Sequence, residues 1–106
     1  MVAPDRGDLV LIDIGPRAEG CEAERRPALV VSPRRYNLRS GLALMCAVSR
    51  RAKGYPFEVP LPEGPVPGVV LADHLRSTDW EARHAEIVTR VPARVVADVL
   101  ARLKPL

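Results

Sequence analysis

The chain alternates short apolar runs with clusters of charge, glycine and proline. Residues 8–13 (DLVLID) and 27–31 (PALVV) are rich in leucine and valine and bounded by such breakers, which is the signature of strands. Residues 42–48 (LALMCAV) form a third run, apolar at nearly every position and so expected to be covered on both faces. Residues 57–59 and 85–90 alternate more clearly and predict strands with one wet face, and 69–72 continues the series. Short strands at this spacing, punctuated by turn residues, predict an antiparallel sheet closed or nearly closed into a barrel.

One segment reads as a helix. After Val91 and Pro92, residues Val95, Val96, Val99, Leu100 and Leu103 fall on one helical face, with Asp98, Arg102 and Lys104 elsewhere. Proline suits the first helical position, and Pro105 ends the segment. The apolar stripe is expected to pack a C-terminal helix against the sheet. Residues 15–25 are polar and too long for a tight hairpin, so they read as a loop. Residues 60–67 (PLPEGPVP) carry four prolines and cannot pair as a central strand.

Length adds a bound: 106 residues, read as one domain spanning 1–106. No apolar run approaches the roughly 20 residues of a membrane-spanning helix, and charges stand in residues 1–7 where a secretory signal needs an apolar core. Cys21 and Cys46 lie in a polar loop and an apolar run, with no disulfide framework around them. A reduced cytoplasmic protein is expected, with Cys46 a small buried hydrophobe. Neither cysteine has a histidine at metal-ligand spacing, and no metal or cofactor is expected. The net charge is only +3, yet basic residues cluster at Arg25 and Arg26, Arg34 and Arg35, and Arg50, Arg51 and Lys53. Such clusters suit a polyanion partner and equally suit ordinary solvated surface.

Four segments decide between those readings. GDLVLID at Gly7, RPALVVSP at Arg26, KGYPFEV at Lys53 and LADHLRS at Leu71 stand in an order that resembles the MazF/PemK toxins over nearly the whole chain. The resemblance implies a mainly β fold with short helices, an SH3-like (CcdB/MazF-type) antiparallel β-barrel with a C-terminal helix. It implies a homodimer that cleaves single-stranded RNA (mRNA) at a short sequence without a metal, and a cognate MazE-like antitoxin. Arg26 occupies the family's catalytic arginine position, and Ser49 falls where the family usually has threonine, so the hydroxyl is retained. Glu22 lies in the loop the family uses for substrate contact, with Glu19 and Glu24 as close competitors. His74 stands where relatives often carry glutamine, and Arg50 with Arg51 replace positions that are commonly uncharged.

These residue types suit metal-free RNA cleavage. The substrate brings its own nucleophile, a 2′-hydroxyl that attacks the adjacent phosphorus and expels the 5′-oxygen of the next nucleotide. Negative charge grows on the nonbridging oxygens, so a guanidinium aimed there lowers the barrier selectively. Arg26 is the candidate, and a guanidinium, which keeps its proton throughout the ordinary pH range, is a poor proton carrier. Ser49 can donate to the phosphate, while Glu22 or His74 can accept the 2′-hydroxyl proton. A groove lined by Arg25, Arg26, Arg50, Arg51 and Lys53 would attract the backbone, with Tyr55 either a stacking platform or a strand anchor. Two rivals remain: a CcdB-like barrel that inhibits DNA gyrase by protein contact, and a structural or regulatory partner protein.

Overall fold

The computed structural model describes residues 2–14 and 24–104. The described residues form six antiparallel strands and two helices: β1 (Asp8–Ile14), β2 (Glu24–Val30), α1 (Arg34–Ser40), β3 (Ala43–Ser49), β4 (Glu58–Pro60), β5 (Val69–Thr78), β6 (Glu86–Arg90) and α2 (Ala93–Leu103). The strands make one curled sheet in the order β4-β5-β3-β2-β1-β6. The mainly β fold and its C-terminal helix thus follow the sequence pattern.

The two sides of the sheet carry separate cores. Leu9, Leu29, Cys46, Val59, Val70 and Ala72 face one way and pack with Val95, Val96 and Val99 of α2. Their chain neighbours Val10, Ala28, Val30 and Met45 face the other way, against Ala3, Trp80 and Ala85. Alternation along β1, β2 and β3 therefore buries both faces, which is why these segments look almost uniformly apolar. Burial pushes the Cys46 thiol up to about 11, so it stays a neutral packing group.

Two boundaries and one element depart from the sequence expectation. β2 begins at Glu24, not Pro27, because Glu24, Arg25 and Arg26 pair with Ile14, Asp13 and Ile12. β5 runs to Thr78 because its polar half, invisible to a hydrophobic pattern, pairs with β3 from Leu75↔Cys46 to Thr78↔Ala43. Between that half and the pair Val70↔Val48, the single residue Ala47 faces residues 71–74, so β5 bends sharply there. Helix α1 was not expected, since Asn37 is its one buried residue and no apolar stripe marks it. The expected end of α2 at Pro105 lies outside the described residues.

Tertiary hydrogen bonds hold α1 instead. Its N-cap is Pro33, whose side chain cannot cap, and Asp5 Oδ1 accepts the Arg34 N–H from across the fold at 2.8 Å. At the other end Gly41 takes the left-handed conformation, φ 73°. Asn37 is fully buried; its Nδ2 donates to the Pro4 and Ser32 carbonyls, and its own carbonyl accepts Trp80 Nε1. The Arg34 backbone N–H, with Arg6 N–H and the guanidinium groups of Arg34 and Arg90, holds the Asp5 carboxyl below its ordinary value of 3.8. A depressed carboxylate contributes stability above the unfolded value that is lost as pH falls through the folded one. Asp5→Asn is therefore expected to be less stable than the wild type near neutrality, where the carboxylate is charged. Paired thermal melts should show that difference disappear once both carboxyl states are protonated.

Candidate active site

Two of the predicted residues flank the end of the β2–β3 ladder. β2 and β3 pair Ala28↔Ala47, Leu29↔Cys46 and Val30↔Met45. Arg26 lies two residues beyond the last of these pairs on β2, and Ser49 two residues beyond it on β3. Pairing with β3 stops at Ala28, next to Pro27, which has no N–H to donate. The Arg26 guanidinium lies 3.4 Å from Glu24, with the Arg26 side chain 65% exposed. An exposed pair of this kind is weak and readily exchanged for a phosphate.

Ser49 ends β3 and pairs with Val69. Its Oγ accepts the Arg51 N–H at 3.2 Å and lies 3.3 Å from the Arg51 carbonyl oxygen. This turn lets the chain leave the strand with Arg50, Arg51 and Lys53 all exposed. Gly68 passes so close that a Cβ there would lie 2.1 Å from the Ser49 carbonyl oxygen, and its φ is +122°. Glycine is required at this point both by backbone conformation and by contact.

Beyond Lys53 the chain turns through Gly54, φ +81°. The buried carboxylate of Glu58 accepts the Lys53 N–H at both oxygens, 3.1 Å each, and the Gly54 N–H at 3.0 Å. Glu58 N–H donates back to the Tyr55 carbonyl at 3.1 Å, and Arg102 of α2 donates to the Pro56 carbonyl. Tyr55 is half exposed, with its ring centroid 5.2 Å from that of Phe57. Sequence reading missed Glu58; the signal was an acid inside the strand-like triplet FEV.

The other predicted residues are distributed differently. His74 sits in the bend of β5, exposed, its Nε2 3.9 Å from Asp73 Oδ1. The Arg25 guanidinium turns away from Arg26 into a separate knot. It lies 3.1 Å from Asp13 and 2.9 Å from Glu86, and donates to the Leu11 and His84 carbonyls. His84 completes the knot, Nδ1 2.9 Å from Asp13 Oδ2, with φ +51°. Glu22, Glu19 and Cys21 lie outside the described residues.

Comparison with known proteins places the sequence and the fold. Residues 5–106 match the family model described as PemK-like, MazF-like toxin of type II toxin-antitoxin system. The endoribonuclease toxin MazF of Escherichia coli (strain K12) is 44% identical over 82 residues, covering 77% of this chain and 74% of that protein. The crystal structure of MazF from Deinococcus radiodurans superposes with TM-score 0.86 at 51% identity, covering 97% of this chain and 94% of that one. A MazE–MazF crystal structure from the same organism, also at 51% identity and with the same coverage, gives 0.88. The chain belongs to the PemK/MazF toxin family of type II toxin-antitoxin systems.

Proposed function

We propose that this protein is a sequence-specific, metal-independent endoribonuclease that cleaves single-stranded RNA, mRNA above all, and is silenced by a MazE-like antitoxin. The reading is supported by an exposed arginine, Arg26, two residues beyond the last β2–β3 pair, by the strand-end hydroxyl of Ser49, and by the exposed cations that follow Ser49. Relatives that carry the name endoribonuclease toxin, and a relative solved with MazE, support the same assignment.

Arg26 exchanges Glu24 for the scissile phosphate and stabilises the charge that grows on its nonbridging oxygens. Ser49 Oγ donates a hydrogen bond to the same phosphate, and its contact with Arg51 keeps the hydroxyl in place. Arg50, Arg51 and Lys53 draw in the RNA backbone, so binding weakens as salt rises. His74 or Glu22 receives the 2′-hydroxyl proton; an imidazole is suited to this near neutral pH. Arg25 serves the fold, because its guanidinium is engaged by Asp13, Glu86 and two carbonyls. No metal or cofactor takes part. Two copies assemble as a homodimer, the work is done in the cytoplasm, and the antitoxin covers the cationic segment with an acidic chain. A CcdB-like gyrase inhibitor has no use for Arg26 and Ser49 together.

Once the cut site is mapped, a substrate with 2′-O-methyl on the one nucleotide 5′ to the cut tests the chemistry. The account predicts an intact strand, whereas cleavage at the same bond would show that water is the nucleophile and sink it.

A further inference from the structure

We infer that Glu58 is a positioning residue for the cationic segment of the active site, an inference that rests on the ribonuclease reading above. A carboxylate is costly to bury unless its oxygens are met by donors. Glu58 is 8% exposed, and the donors that meet it are the backbone N–H groups of Lys53 and Gly54. Successive N–H groups converging beside a positive-φ residue make an anion-binding concavity. Here the protein fills that concavity with its own acid, and Gly54 supplies the conformation, φ +81°. An RNA phosphate is therefore excluded from these amides, and the contribution of the segment to binding comes from its side chains.

The placement of the segment follows from its two ends. Ser49 Oγ accepts the Arg51 N–H at one end, and the Glu58 carboxylate accepts the Lys53 and Gly54 N–H groups at the other. Glu58 itself belongs to β4, where it pairs with Leu71 of β5. The cations at Arg50, Arg51 and Lys53 are thus presented from a backbone stretched between two strands of one sheet. Releasing the Glu58 end leaves Arg26 and Ser49 in place, and lets the cations wander from the phosphates they neutralise. Substrate capture should suffer while the chemical step continues.

The test compares the wild type, Glu58→Gln and Glu58→Ala, the glutamine variant keeping volume and one acceptor oxygen. Cleavage of a long single-stranded RNA is followed over a salt series, alongside amide hydrogen exchange at Lys53 and Gly54. Expected is faster exchange at both amides and a KM raised about tenfold in Glu58→Ala with kcat within about twofold. Glu58→Gln should fall in between, and the salt slope in Glu58→Ala should be shallower by about one phosphate contact. Faster exchange with unchanged KM and salt slope would make Glu58 merely structural and overturn the inference. Unchanged exchange at both amides would overturn it as well. A wild type that cuts nothing removes the ribonuclease reading itself, and is recognised because all three proteins are then silent.

Discussion

Arg26→Ala is expected to lower kcat by about 10²- to 10³-fold, roughly 3 to 4 kcal/mol of transition-state stabilisation, by analogy with loss of an oxyanion donor. The fold should not notice. The side chain is 65% exposed and, among the described residues, its ion pair is with the equally exposed Glu24, so stability should stay within about 0.5 kcal/mol. Arg26→Lys should recover little, because an ammonium retains the charge and loses the planar fork that spans two phosphate oxygens. Single-turnover cleavage with thermal melts on the same samples separates the two effects. A large loss of stability in either variant would make Arg26 a structural residue and the loss of rate uninformative.

Gly68→Ala is expected to damage both stability and catalysis. A methyl group there would meet backbone, the Ser49 carbonyl oxygen at 2.1 Å, the Ser49 carbonyl carbon at 2.9 Å and Arg50 Cα at 3.1 Å. Backbone cannot swing aside as a side chain can, and φ +122° is itself unfavourable for any residue with a Cβ. The cost should be about 3 kcal/mol, lowering Tm by more than about 10 °C. β3 and β5 can make room only by moving apart at the pair Ser49↔Val69, which displaces the Ser49 hydroxyl. The folded fraction should therefore also show reduced kcat. Gly64→Ala is the control: its nearest neighbour would be the Pro62 carbonyl at 3.9 Å, so it should be close to neutral.

The fold was legible wherever apolar residues carried it. β1, β3 and α2 bury continuous or helically spaced side chains, and such patterns read directly from sequence. What escaped was held by polar contacts between distant residues. α1 depends on Asp5 and on the buried Asn37, and the far half of β5 has exposed side chains and is held by backbone pairing. The candidate site divides in the same way. Arg26 and Ser49 came from the family resemblance, and each lies two residues past the last β2–β3 pair. Glu58 and Gly68 announce themselves only when Lys53, Gly54 and Ser49 are near them in space. Arg25 illustrates the converse: it adjoins Arg26 in sequence, but strand alternation sends it to Asp13 on the other side.

The central claim is metal-free cleavage of RNA through its own 2′-hydroxyl. Its most direct test is to incubate the purified chain with a long single-stranded RNA in excess EDTA and to map and chemically type the new ends. The account predicts cuts at one short sequence, leaving a 2′,3′-cyclic phosphate and a 5′-hydroxyl. Intact RNA, or ends bearing a 3′-hydroxyl and a 5′-phosphate, would contradict it.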